Sequence, residues 1–287
     1  VLTCSSVTAG GTHAVWQTVL DHQQRVKQTG EFDEKRKKQA LEWMWAMVAD
    51  GLWQRFKEAV RAINRTDDGH TWLTDAQLEQ VLSEVQAAAA SRGLVETNEA
   101  VLRLLFEGAR VDENAVTGEV APRVHLIDFL HPERNDFRAI NQFRVDVPHG
   151  VKPFIIPDIV LFVNGLPLVV VECKNPDAVA ADPLHDAFQQ LMRYSDQRPE
   201  TTKAGLREGE PRLFYPNQLL IRTSGERAEY GSITATDPEF FFPWRDIIPE
   251  AYQDYNPPLG RERAQEVLIQ GMLPPDTLLD LLRSCTV

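Results

Sequence analysis

An apolar run interrupted by a single Asn-Gly pair constrains the fold of this chain more than any other feature. The run reads "PDIVLFVNGLPLVVVECKNP", from Pro157 to Pro176. Two stretches rich in Val, Ile and Leu separated by Asn-Gly are typical of a tight β-hairpin. Because both strands are almost wholly apolar, we expect the hairpin to lie inside a sheet. The charged residues at its two ends then require an explanation.

The charged residues at the two ends of the hairpin share one face only if the pairing of its two strands is irregular. Glu172 and Lys174 are two residues apart in a strand, so their side chains leave the same face and Cys173 points to the other. A two-residue Asn-Gly loop with regular strands turns Asp158 away from Glu172. A three-residue loop, or a bulge at Asn-Gly, brings Asp158 within reach of an ion shared with Glu172. The predicted site therefore requires an irregular register.

This combination of residues suits one chemistry. The carboxylates of Asp158 and Glu172, with the backbone carbonyl of Cys173, form a hard oxygen shell suited to Mg²⁺. Lys174 beside that shell can hold or deprotonate a water and offset charge on a phosphorane-like transition state. The pattern fits phosphodiester hydrolysis. An alternative reading is an ion pair between Glu172 and Lys174 with Asp158 capping a turn, and spacing alone favours this alternative because the pattern D-x(13)-E-x-K arises readily by chance.

A pair of polar residues follows on the next predicted helix. Gln190 and Tyr194 are four residues apart, so they lie on one helix face. They are either part of the same site or an ordinary polar helix edge.

The composition describes a globular protein of 287 residues with one large domain or two smaller ones. Three scattered cysteines exclude a disulfide framework or a zinc site, and no apolar run is long enough for a membrane span. We therefore expect a cytoplasmic protein. The net charge is −12, yet residues 1–65 are basic on balance and the remainder is acidic. This shift, with the loop-like sequence at Asn64–Thr71, predicts a domain boundary there.

The remaining periodicities predict an α/β fold with a mixed sheet. Helices are predicted within residues 12–63, from a Thr74/Gln77 capping box to about residue 91, over 96–107 and 182–197, and as two short helices within 264–282. Strands are predicted over residues 124–129, 136–147 and 217–225, besides the hairpin.

Through these motifs, the region from about residue 71 to residue 287 resembles the restriction (R) subunit of type I restriction–modification enzymes. The resemblance rests on the hairpin, which is similar to the PD-(D/E)xK nuclease motif, and on several flanking segments. These segments are "VHLIDFLHPERNDFRAINQFRV", "QQLMRY", "NQLLIRTSGERAEYGSITA", "FFPWRDI" and "EVLIQGMLPPDTLLDLLRS".

The resemblance implies a restriction-endonuclease-like mixed sheet flanked by helices, and the periodicity within residues 12–63 adds a helical N-terminal segment before it. It implies catalytic roles for Asp158, Glu172 and Lys174, with Gln190 and Tyr194 steadying the site on DNA. It further implies Mg²⁺, double-stranded DNA, and modification and specificity subunits as partners. The family's ATP-driven translocase follows its nuclease domain. Since G-x-x-x-x-G-K-[ST] does not occur in the 287 residues, we expect this chain neither to bind ATP nor to translocate DNA.

Residues 1–65 resemble a different family. "TCSS" and the helix "GEFDEKRKKQALEWMW" are similar to the C-terminal end of MeaB/ArgK-type P-loop GTPases. Without the P-loop and switches, this segment is not expected to bind GTP. The predicted organisation is a helical segment over 1–65, a nuclease domain over 71–250, and a linker with short helices over 251–287. A genuine fusion and a chimeric gene model both account for the join.

The sequence is therefore compatible with two functions of different classes. The first is a Mg²⁺-dependent DNA endonuclease domain of a type I R subunit. The alternative is a non-catalytic interaction or dimerisation module, or a chimeric fragment carrying a GTPase tail. Whether the isolated domain cleaves DNA is left open by the sequence, as are its oligomeric state and its DNA recognition sequence.

Overall fold

The computed structural model describes residues 51–66, 68–89, 93–176, 182–245 and 263–285. The chain divides into two compact units, Val1–Leu52 and Trp53–Val287. Most of the first unit, including the helices predicted before residue 51, lies outside the described residues. No described helix is long and apolar enough to cross a membrane.

Seven α-helices lie within the described residues. In chain order they are α1 (residues 51–63), α2 (Asp75–Ala89), α3 (Leu94–Glu107), α4 (Pro183–Tyr194), α5 (Pro199–Lys203), α6 (Ala264–Met272) and α7 (Pro275–Cys285).

The ten strands of the described residues are short, and the longest is β7, the second strand of the hairpin. They are β1 (Ala109–Arg110), β2 (Arg123–Val124), β3 (Phe137–Asn141), β4 (Val145–Asp146), β5 (Phe154–Ile155), β6 (Ile159–Val163), β7 (Leu166–Cys173), β8 (Leu219–Thr223), β9 (Ala228–Gly231) and β10 (Phe242–Pro243).

The central element is a six-stranded mixed sheet flanked by helices, as predicted. Its strand order is β10-β9-β8-β7-β6-β3, and only the β7–β8 pair is parallel. The connection from β7 to β8 contains α4, which is the helical crossover that a parallel pair requires. The hairpin is therefore in the middle of the sheet, where its apolar strands are buried.

Several predicted helix boundaries are confirmed. The capping box opens α2: the backbone N–H of Gln77 donates to the Thr74 hydroxyl at 3.2 Å, and the Thr74 N–H donates to Gln77 Oε1 at 3.0 Å. Asp182 caps α4 by accepting from the Leu184 N–H at 3.2 Å. The two C-terminal helices are separated at Pro274-Pro275, because proline cannot continue α6 but is well suited to the first turn of α7.

The predicted strand over residues 124–129 is wrong beyond Val124. Leu126 and Ile127 are buried, but their backbone is irregular. Asparagine amides take the place of a neighbouring strand: Asn64 donates to the His125 carbonyl at 2.7 Å, and Asn164 donates to the Leu126 carbonyl at 2.8 Å. Buried backbone groups must be paired, and side chains satisfy that requirement here.

Helix α1 contributes to the same core as the sheet. Phe56 and Val60 are almost fully buried there, together with residues of α2, α3 and β7. Asn64, at the end of α1, bonds both backbone groups of His125. The boundary at Asn64–Thr71 stays a prediction, but these contacts favour a boundary before Trp53.

Candidate active site

The two acids of the candidate site are brought together by the register of the β6–β7 hairpin. Asn164 and Gly165 both have positive φ, 51° and 78°, as a two-residue type I′ turn requires. Val163 consequently pairs with Leu166, so the loop has two residues and the first predicted alternative, a three-residue loop, is excluded. The register then shifts, and Ile159 pairs with Val171. Continued by one residue, this register puts Asp158 opposite Glu172.

The register shift is a bulge in β7, and it does not lie at the turn. Leu161 pairs with Val169, whereas Phe162 pairs with Pro167, so Leu168 is the extra residue. Proline has no N–H to give to the ladder and is usually found at edges or bulges. Pro167 was therefore the sequence signal that could have located the irregularity.

The Asp158 carboxylate accepts hydrogen bonds from strand β7 and from the turn that follows β3. Its Oδ2 accepts from the backbone N–H of Cys173 at 2.8 Å, and its Oδ1 accepts from the side-chain amide of Gln142 at 2.8 Å. The first acid is thus fixed to the strand that carries the second acid.

Glu172 is the most deeply buried charged group of the site, with 1% of its surface exposed. Lys174 Nζ donates to its Oε1 at 2.7 Å, while its Oε2 is buried without a hydrogen-bond partner. Burial raises the pKa of Glu172 to about 7; the Lys174 ion pair opposes this rise and the negative charge of Asp158 adds to it. A buried carboxylate with one free oxygen is a group that a cation would stabilise.

Lys174 links the acids to helix α4. Its ammonium also donates to Gln190 Oε1 at 2.8 Å, and the Gln190 amide in turn donates to the Tyr194 hydroxyl. The Tyr194 hydroxyl donates to the Ile156 carbonyl at 2.8 Å, two residues before Asp158. The side chains at i and i+4 on α4 therefore connect the two ends of the hairpin.

Burial also affects the two remaining titratable groups beside the acids. It raises the pKa of Tyr194 to about 12 and that of the Cys173 thiol to about 11, and the negative charge of Glu172 or Asp158 adds to each rise. Both groups are consequently protonated near neutral pH. Since side chains alternate along a strand, the Cys173 thiol leaves the opposite face from Glu172, and the backbone carbonyl is the Cys173 group on the side of the acids.

An arginine directly across the ladder does not neutralise Glu172. Arg222 on β8 pairs with Glu172 in register. Its guanidinium instead binds Glu229, with Nε at 2.9 Å from Oε2, and the Pro238 carbonyl at 3.0 Å. It also lies over the Phe241 ring at 4.7 Å. Among the described residues, Lys174 is therefore the cation that pairs with Glu172.

The arrangement agrees with the oxygen-ligand chemistry of Mg²⁺, although it does not form a complete metal shell. In the described part of the chain, no cluster of three or more His, Cys, Asp or Glu side chains could hold a metal. Two carboxylates and one backbone carbonyl would leave the remaining positions to water and substrate, as Mg²⁺ commonly requires. The unpartnered Glu172 oxygen supports this fit.

The predicted residues Asp158, Glu172, Lys174, Gln190 and Tyr194 therefore form one connected group around the hairpin ends. Their catalytic roles stay predictions. Sequence reasoning missed Gln142, which lies 16 positions before its partner Asp158, and no local pattern in the sequence indicated it.

Comparison with known proteins points to one family over most of the chain. The family model described as Type I restriction enzyme R protein N terminus matches residues 25–239. The type I restriction enzyme HindI endonuclease subunit of Haemophilus influenzae is 34% identical over 230 residues, which are 80% of this chain and 19% of that protein. A Methanocaldococcus jannaschii protein named as the type I restriction enzyme MjaIXP endonuclease subunit is 28% identical over 203 residues, 68% of this chain and 17% of its own length.

A second, shorter match concerns GTPases. A Mycobacterium tuberculosis protein named as a GTPase is 40% identical over 55 residues, which are 19% of this chain and 16% of that protein. The chain thus spans about a fifth of the endonuclease subunits that it matches and a smaller share of the GTPase.

Proposed function

Because the chain belongs to the family of type I restriction enzyme R protein N-terminal regions, we propose that it is the Mg²⁺-dependent nuclease domain of such a subunit. It would hydrolyse phosphodiester bonds in double-stranded DNA. The observation that carries the proposal is the meeting of Asp158, Glu172 and Lys174 at the ends of a buried hairpin, with one Glu172 oxygen unpartnered.

The roles follow from the contacts of these side chains. Asp158, Glu172 and the Cys173 carbonyl would hold the Mg²⁺, which would supply Lewis-acid stabilisation of the phosphate charge. Lys174 is held by Glu172 and Gln190 at 2.7 and 2.8 Å, so its ammonium is kept beside the carboxylates. There it would orient the attacking water and offset charge that develops on the phosphate.

The α4 pair would preserve this geometry when DNA binds. Gln190 accepts from Lys174, and Tyr194 anchors the Ile156 carbonyl next to the Pro157-Asp158 dipeptide. Since the Tyr194 pKa lies far above neutral, its hydroxyl stays a hydrogen-bond donor. The proposal also includes modification and specificity subunits as partners. DNA sequence recognition would reside in a partner subunit. The proposed location is the cytoplasm.

Incubation of the full chain with plasmid DNA tests this function. We expect strand cleavage with Mg²⁺ and none with EDTA, and loss of cleavage in Lys174→Ala. Lys152→Ala is a matched control, because Lys152 is an exposed lysine on the loop between β4 and β5. Cleavage that persists in Lys174→Ala would contradict the proposed site. Absence of Mg²⁺-dependent cleavage and of any Mg²⁺ effect on melting would favour the non-catalytic interaction module instead.

A further inference from the structure

The chain changes direction at Gln142, immediately after β3. Strand β3 ends at Asn141, and Gln142 has φ of +51°, a conformation uncommon for residues other than glycine. The single stretch predicted over residues 136–147 is therefore divided, and β4 begins only at Val145. Uncommon backbone conformations are concentrated at functional sites, so the partners of the Gln142 side chain bear on its role.

Gln142 makes both of its described hydrogen bonds to the first acid of the site. Its backbone N–H donates to the Asp158 carbonyl at 2.7 Å, and its Nε2 donates to Asp158 Oδ1 at 2.8 Å. The neighbouring Phe143 N–H donates to the Pro157 carbonyl at 3.2 Å. The turn thus faces the Pro157-Asp158 dipeptide with both its backbone and its side chain.

The side-chain bond is not required to satisfy a buried group. Gln142 is exposed, so water could replace its amide without leaving an unpaired donor in the core. The other Asp158 oxygen already accepts from the Cys173 N–H at 2.8 Å. What the Gln142 amide adds is a second donor that restricts the carboxylate to one orientation.

We propose that Gln142 is a positioning residue that holds Asp158 in the orientation required for metal binding. The inference rests on the proposed function, since it needs Asp158 to be a metal ligand. A carboxylate has about four lone-pair positions, so Asp158 can accept both hydrogen bonds and still bind a cation. Hydrogen-bonding partners of metal ligands typically contribute about 10- to 100-fold to metal affinity or activity.

Two variants of the full 287-residue chain separate the side chain from the backbone. Gln142→Met keeps the length of the side chain and its β-carbon but removes the amide donor. Gln142→Gly removes the amide and also relieves the positive φ. His149→Gly is the matched control, because His149 also has positive φ, 60°, in a separate turn.

The readout is the Mg²⁺ concentration at the midpoint of the rise in Tm, with DNA cleavage measured alongside. Both Gln142 variants should raise this Mg²⁺ midpoint by about tenfold. Without metal, the Tm of each variant should stay close to that of the wild-type chain, because Gln142 is exposed. His149→Gly should leave the midpoint unchanged. A wild-type midpoint in Gln142→Met would overturn the inference, even if Gln142→Gly were altered, since the amide would then have no part. If the wild-type chain itself showed no response to Mg²⁺, the proposed metal site would fail first and the inference with it.

Discussion

The Asp158 carboxylate accepts a hydrogen bond from the backbone N–H of Cys173 at 2.8 Å. The acid that opens the hairpin is thereby attached to the strand that closes it. Glu172, which precedes Cys173, is brought opposite Asp158 by the β7 bulge and is almost fully buried. The sheet holds the two carboxyl groups together, and a cation would relieve the repulsion between them when both are ionised.

Asp158→Asn should remove most of the effect of Mg²⁺ on stability. Wild-type protein at 100 times its Kd for Mg²⁺ should gain about 2.7 kcal/mol in unfolding free energy by mass action. Asparagine can still accept from Cys173 N–H, but it lacks the charge that binds the cation. Thermal melting with and without Mg²⁺ measures the difference. Asp237→Asn, at a carboxylate that caps a short helix elsewhere, is the control and should keep the full gain.

Lys174→Ala should abolish cleavage while retaining Mg²⁺ binding. Lys174 contacts the acid and Gln190 but contributes no metal-binding oxygen, so we expect a loss of roughly 100-fold or more in single-turnover cleavage. Because the ion pair also counteracts the raised pKa of Glu172, binding should be compared at pH 8.5 as well as at 7. Complete loss of Mg²⁺ binding at the higher pH would assign Lys174 a structural role only.

The metal-free protein should become less stable as pH rises from about 4.5 to 7. The pKa of Glu172 is raised from 4.5 to about 7, so the folded state keeps a proton that the unfolded chain has released in this interval. The expected loss is on the order of 3 kcal/mol once pH exceeds 7.

Glu172→Gln should remove this pH dependence, because glutamine keeps the shape of the side chain without a titrating group. Urea unfolding in EDTA at a series of pH values provides the measurement. Equal slopes for wild type and Glu172→Gln would show that Glu172 does not titrate as described. Added Mg²⁺ should stabilise wild type most strongly above pH 7, where the carboxylate is charged.

Shortened chains should locate the N-terminal boundary. A chain that begins at Trp53 should melt as cooperatively as the full protein, whereas one that begins at Thr71 should lose its cooperative transition. The second chain lacks Phe56 and Val60, which are 3% and 0% exposed, and the Asn64 amide. Truncating a single buried phenylalanine to alanine typically costs about 3 to 5 kcal/mol. Cooperative melting of the Thr71 chain would support the boundary expected from the charge pattern.

The sequence by itself determined the features that depend only on residues close together in the chain, namely turns, strand alternation, helix caps and helix breaks. The Asn164-Gly165 turn needs positive φ at both positions, and few other residue pairs tolerate it. The alternation that puts Glu172 and Lys174 on one face is a property of any strand. The capping box at Thr74 and the break at Pro274-Pro275 are equally local. The type I restriction family was also recognisable from its motifs alone.

Tertiary structure decided the features that depend on distant partners. The bulge at Leu168 lies away from the turn, and only pairing between β6 and β7 reveals that it brings Asp158 opposite Glu172. The pKa of Glu172 depends on burial under neighbouring elements, which no spacing in the sequence encodes. The Gln142 amide reaches Asp158 across 16 residues because β3 pairs with β6. Such contacts arise when separate strands fold against one another, so residue order indicated an irregular register but did not predict the contact between Gln142 and Asp158.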